Sequence, residues 1–360
     1  MARHADATIV DLGDSLLAPG LVNAHAHLEL SALDPVSDRS FRGWVDALIA
    51  IRRGTSPQDL EAGALAGANR MLETGTTLVG DIDSTGTGMA ALRALPLRAR
   101  VYREVLDAGE AARSGAALKS VADRLELPGW LAEGLSPHAP YTVSPELFRG
   151  LAELVRRRDC PIAVHWAETP EETEWMLHAR GALGGLVQHS PRRSGLDLLD
   201  DAGLLGERTS LIHGNEATVE EIARIAAAGA TCVHCPGSHA YFARPPFPLM
   251  AYRSAGVSIA LGTDSAASNR DLDMRRELGL LRAAHPELSG EEAWGMATIN
   301  GARALGIPGV TGALHVGSLA DFGSYAAPSR AEGCFDALTQ EGTALRGSWI
   351  GGKTVLGAVA

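Results

Sequence analysis

The chain has 360 residues, 46% of them hydrophobic and 21% charged, and a formal net charge of −11. That length suffices for one large domain with a substantial core, and no apolar run approaches the about 20 residues that span a bilayer. The acidic balance and the lack of a basic block argue against nucleic acid as a partner. The opening Met-Ala-Arg-His-Ala-Asp lacks the pattern of a signal peptide, which points to the cytoplasm.

The first strand-like run, Leu21–Asn23, breaks into His25-Ala26-His27. A helix opens at Ser56-Pro57 with a cap and a first-turn proline and ends at Gly75. Runs follow at Thr76–Asp83, Arg98–Leu106 and Trp130–Ser136, the last leading into Pro137-His138-Ala-Pro-Tyr141. Ser144-Pro145 opens a helix with Leu147, Leu151 and Leu154 at helical spacing. Pro161–His165 runs into Trp-Ala-Glu168, and Ser210–His213 into Gly-Asn215. Thr218 caps Val219–Ala228, closed by Gly229, before runs at Ala230–His234 and Val257–Leu261, the latter followed by Gly-Thr-Asp264-Ser. Helices around Met274–Ala284 and Gly290–Leu305 come last.

The spacing fits βα units of roughly 30 or more residues. Eight of them predict a (β/α)8 TIM barrel, with catalytic groups at the carboxyl ends of the strands. The predicted organisation is a barrel over 19–313 and a small β-sheet flank built from both termini, 1–18 and 314–360. In the flank, Ala7–Leu12, Ser318–Ser324 and Thr343–Leu356 are strand-like, with Gly351-Gly352 as a hairpin turn. Imidazoles and carboxylates arriving one per strand end are what a divalent metal needs. Alternation puts His25 and His27 on one face, and turns His234 inward, although His234 is given no ligand role. In Cys232-Val-His234-Cys235 the donors point both ways, so that strand cannot close a zinc site by itself.

Pro19-Gly-Leu-Val-Asn-Ala-His-Ala-His27, His165-x-x-Glu168, His213-Gly-Asn215, His234-Cys-Pro-Gly-Ser238 and Gly262-Thr-Asp264-Ser together resemble the amidohydrolase superfamily, in its cytosine-deaminase-like and chlorohydrolase-like branch. The resemblance implies that His25, His27, His165 and Asp264 bind metal, that Glu168 shuttles protons, that His213 orients or activates water, and that His138 contacts substrate. Relatives with two metals bridge them with a carboxylated lysine, but Lys119 and Lys353 lie near no strand end. One divalent metal is therefore expected, zinc first and iron second. Members of the family carry some tens of residues before the Pro-Gly-Leu-Val motif. Eighteen stand here, which predicts a reduced flank or a late-starting gene model.

The resemblance implies hydrolytic deamination of an aminated heterocycle, a small-molecule substrate, and allows a homodimer. Segments around Glu29, Trp44 and Arg244 are similar to deaminases of 6-amino-6-deoxyfutalosine, which act in the futalosine route to menaquinone. On that reading Arg244, with Tyr241 beside it, holds a carboxylate-bearing ring, Trp44 stacks on the base and Glu29 binds ribose hydroxyls. The alternatives are deamination of adenosine, S-adenosylhomocysteine, guanine or cytosine, chloride or alkylamine removal from a triazine, and a non-catalytic scaffold.

Overall fold

Eight short strands, most of them buried along nearly their whole length, pair in parallel and in chain order in the computed structural model, which describes residues 9–327, 333–340 and 342–357. They are Leu21–Ala26 (β2), Thr76–Asp83 (β3), Arg98–Val105 (β4), Leu131–Pro137 (β5), Ile162–Trp166 (β6), Thr209–His213 (β7), Thr231–His234 (β8) and Ser258–Leu261 (β9), following a flank strand, Ser15–Pro19 (β1). Burial on both faces explains why most of them read as apolar runs, while β4 alternates charged and apolar residues. Ser56, Ser144, Thr169 and Thr218 each accept a hydrogen bond from the backbone N–H three residues on, starting the helices between strands. The architecture is a TIM barrel.

The interior is filled from below. Val22, Leu78, Ile82, Tyr102, Ala163, Ile212, Val233 and Ala260 form one cluster with Ala304 and Leu305. Tyr102 has room because its neighbour is Gly134, where a Cβ would come within 2.3 Å of the Tyr102 ring. The helix predicted over Gly290–Leu305 is two, Gly290–Met296 and Ile299–Ala304. It breaks where the Ala297 carbonyl accepts from the Val22 N–H of β2 at 2.8 Å. The second piece plugs the barrel, with Arg100 Nε donating to the Leu305 carbonyl (3.0 Å) and Ser210 Oγ to that of Ala304 (2.8 Å).

The ring closes at the top between β2 and the segment after β9. Thr263 and Asp264 N–H groups both donate to the His25 carbonyl at 3.0 Å, and Asn23 Nδ2 donates to Thr263 Oγ1 at 2.7 Å. Closure of the barrel and proximity of His25 to Asp264 are one event.

A four-stranded sheet, ordered β1, Phe322–Ala326 (β10), Leu345–Ile350 (β11), Lys353–Leu356 (β12), joins the two ends of the chain. The strand expected at Ala7–Leu12 forms later, at β1. Residues 7 and 8 lie outside the described residues, and Asp11 Oδ1 accepts from the Gly13 N–H (2.8 Å) in a turn that ends any extended run. Gly351 and Gly352, with φ of +58° and +74°, make the expected hairpin turn between β11 and β12. His234 is also corrected: its ring stacks on Phe247 at 4.0 Å, outside the barrel, while Val233 takes the interior position.

Candidate metal and catalytic site

His25, His27, His165, His213 and Asp264 meet at the carboxyl end of the barrel. His27 Nε2 and His165 Nε2 are 3.2 Å apart, and Asp264 Oδ1 lies 3.5 Å from His25 Nε2 and 3.7 Å from His27 Nε2. Simple alternation does not place the first two. The β2–β3 register shifts between Asn23 and Ala26, and such irregularities re-aim side chains beside active sites. His213 and Asp264 hold left-handed backbone, φ +75° and +60°, a conformation that costs about 1–3 kcal/mol per non-glycine residue.

These residues fit a metal ion. Both ring nitrogens of His25 are buried without a hydrogen-bond partner in the structure, an arrangement that wastes about 1–3 kcal/mol per group unless a ligand satisfies it. His165 Nδ1 faces the His138 carbonyl at 2.9 Å, which fixes the proton there and leaves Nε2 as a lone pair. Burial, with His25 nearby, lowers the pKa of His27 to about 3, and burial lowers that of His213 to about 3, so both are neutral donors. Donor separations of 3.2–3.7 Å match the about 3.3 Å expected between ligands of a tetrahedral ion with bonds of about 2.0–2.1 Å. Asp264 is oriented from behind, where Ser238 Oγ (2.7 Å) and Ser268 Oγ (3.0 Å) donate to Oδ2. Burial opposes its ionisation, but His25, His213 and His27 outweigh this and hold it well below the usual carboxylate range.

Glu168 stands beyond β6. Its Oε2 is 3.9 Å from His213 Nε2, and its Oε1 accepts from Arg244 Nη2 at 3.2 Å. Its backbone is clamped as well. Glu172 accepts from the N–H groups of Ala167 (3.1 Å) and Glu168 (2.9 Å), and Asn215 Nδ2 donates to the Glu168 carbonyl (3.0 Å). The asparagine of His213-Gly-Asn215 thus positions an acid on a neighbouring loop. Burial pushes the Glu168 carboxyl up to about 8, against the pull of Arg244.

A cavity of about 320 Å³ opens over the histidines, bordered by Glu168, His138, Glu29 and Trp44, within the range of small-molecule sites. Its outer wall is mostly apolar and comes from the helix Phe41–Gly54, capped by Ser40. Trp44 Nε1 donates to the Ala267 carbonyl at 3.1 Å, and Phe242 packs on the ring edge at 5.5 Å.

Two expected substrate contacts stand elsewhere. Arg244 is taken up by Glu168 and lies over the Phe242 ring at 4.6 Å, and the Tyr241 hydroxyl donates to the Val36 carbonyl; neither lines the cavity. Glu29 does line it, but its carboxylate accepts from Ser84 and Thr85, both N–H and hydroxyl, and pairs with Arg52 at 3.2 Å. Sequence reasoning missed Arg52 and Glu104, both on the wall. No spacing marks them out, since Glu104 sits in a strand that alternates charge with apolar residues.

The pattern of the amidohydrolase family matches residues 16–338. The 5-methylthioadenosine/S-adenosylhomocysteine deaminase of Halobacterium salinarum is 34% identical over 328 residues, 87% of this chain and 73% of that protein. Aminodeoxyfutalosine deaminase of Deinococcus radiodurans is 35% identical over 313 residues, 81% of this chain and 74% of that one. An adenosine deaminase from Xanthomonas campestris, solved with bound zinc, superposes with a TM-score of 0.80 at 27% identity, covering 96% of this chain and 81% of that one. The chain belongs to the amidohydrolase family. It is a hydrolase that acts on C–N bonds.

Proposed function

We propose that the protein is a metal-dependent deaminase of adenosine-type nucleosides substituted at the 5′ position, working at His25, His27, His165, Asp264 and Glu168. The observation that carries this reading is Glu168, a largely buried carboxyl facing the same cavity as the ligand histidines, with its proton affinity raised to about 8. The names of the relatives support the nucleoside class.

When bound to the three histidines and Asp264, a divalent metal, zinc by the chemistry of the donors, lowers the pKa of water from 15.7 to about 7. The residues do the rest. Asp264, with Oδ2 fixed by two serines, turns Oδ1 toward the histidines, where it accepts a proton from the attacking water. Glu168 keeps its proton at neutral pH and delivers it to ring nitrogen N1, which makes C6 electrophilic. The water oxygen bonds to C6 and the C6–amine bond breaks; of the two protons of the water, one leaves with the departing ammonia and the other restores the proton that Glu168 gave to N1. His213, beside Glu168, steadies the charge that develops on the oxygen.

Within this class the cavity wall supports one preference. Its cation, Arg52, already pairs with Glu29, and Arg244 is held by Glu168. An apolar 5′ group therefore fits better than an anionic one, which puts 5′-methylthioadenosine ahead of aminodeoxyfutalosine and S-adenosylhomocysteine. The test is ammonia release from these three, adenosine, guanine and cytosine, with metal analysis of the same sample. Turnover of guanine or cytosine with no nucleoside deaminated would sink the reading.

A further inference from the structure

A second group of metal-capable donors adjoins the first: Glu104, His138 and His165 bring ligand atoms within 4.8 Å of one another. It does not make a second metal centre. A lone pair serves one ion, and His165 Nε2 already faces His27 Nε2 at 3.2 Å. That leaves Glu104 and His138, both on the cavity wall, and two donors are too few to hold a divalent ion firmly.

The proton of His138 can be placed. Thr142 Oγ1 has a single proton; with that proton given to the Ala139 carbonyl at 3.0 Å, His138 Nδ1, 2.7 Å from the same oxygen, is the donor. Nε2 is then an acceptor. The Glu104 carboxyl, with an oxygen within 4.8 Å of a His138 ring nitrogen, offers further acceptors. Burial and the nearby Glu29 push that carboxyl up to about 8, which makes its charged form costly until donors reach it. Adjacent acceptors of this kind suit two hydroxyls held a few ångströms apart on a rigid frame. Glu29 cannot play that part, because Ser84, Thr85 and Arg52 already occupy its oxygens. Topology agrees, since Glu104 on β4 and Glu168 beyond β6 flank His138 and His165. A purine with N1 at Glu168 directs N9 and its sugar away from that residue.

We propose that Glu104, together with His138, binds the vicinal 2′ and 3′ hydroxyls of the substrate and so selects ribonucleosides. The inference rests on the deaminase reading above and assigns sugar recognition within that site. The test compares wild type, E104Q and E104A, each checked for wild-type metal content, on 5′-methylthioadenosine and its 2′,3′-dideoxy analogue. Ammonia release gives KM and kcat, and calorimetry gives affinity for the deaminated nucleoside product. The expected result is a KM about 10- to 100-fold higher for the dideoxy analogue with wild type, and a similar rise for the ribonucleoside with E104A, borne by KM rather than kcat. E104Q, which keeps one acceptor, falls between, and E104A adds no penalty on the dideoxy analogue. Equal penalties on both substrates, or a loss in kcat alone, overturn the inference and leave the deaminase reading standing. Failure of wild type to deaminate any nucleoside removes both.

Discussion

The floor of the barrel and its mouth are built from the same strands by opposite rules. On the floor, Val22, Leu78, Ile212, Val233 and Leu305 are wholly buried apolar groups, and the plugging carbonyls of Ala304 and Leu305 have donors. A few residues further along, the mouth holds His25 with both ring nitrogens unpartnered, left-handed backbone at His213 and Asp264, and carboxyls whose proton affinity burial has raised at Glu104 and Glu168. Strain and unsatisfied polarity collect where chemistry is done, and packing elsewhere holds them in place. The closing hydrogen bonds from Thr263 and Asp264 to the His25 carbonyl link the two regimes.

The largest expected effect comes from breaking the mouth at its centre. His25→Ala should abolish measurable ammonia release and leave the purified protein with little bound metal. Chelation should lower the melting temperature of wild type but hardly that of the variant, because only the former loses binding energy. Retained metal at full stoichiometry in His25→Ala would show that the histidine is not a ligand. Glu168→Gln, measured on the same nucleoside, should keep its metal and lose about 10²–10⁴-fold in kcat, the usual worth of a positioned acid–base group. Breaking the floor should do the reverse. Leu78→Ala, at a position 2% exposed, should cost about 2–5 kcal/mol in denaturant unfolding and leave turnover per folded molecule unchanged. A large loss of kcat there would mean that floor and mouth are not separable.

The mouth was more legible in the sequence than the features that tune it. Side chains that could hold or serve a metal sit at strand ends, so His25, His165, His213 and Asp264 stand out wherever an apolar run breaks, and the strand observed at each differs from the expected one by no more than a few residues. Pairings between loops leave no such mark. Arg244 sits in a proline-rich segment that suggests a ligand contact, yet it reaches a carboxylate 76 residues earlier in the chain. The four bonds to Glu29 come from a loop after β3 that sequence reasoning passed over. The flank was misplaced at Ala7–Leu12 because a short apolar run looks the same on either side of a turn, and the Asp11–Gly13 turn decides which side pairs.

The smallest effect sharpens the comparison most, because it asks how the mouth sets a proton affinity. Burial raises the Glu168 carboxyl to about 8 and Arg244 pulls against it. If Glu168 must enter the reaction protonated, kcat/KM is flat through neutral pH and falls tenfold per pH unit above about 8. Arg244→Leu removes the neighbouring cation that favours the carboxylate. The Glu168 pKa then rises further, and the alkaline limb moves to higher pH rather than lower. A pH–rate profile of the two proteins on one nucleoside reads this directly. Glu104 shares a value of about 8, so E104Q is the control. A limb that stays in place in Arg244→Leu but disappears in E104Q would reassign the titration to the sugar side of the cavity, whereas a limb that follows Arg244 ties it to the acid beyond β6.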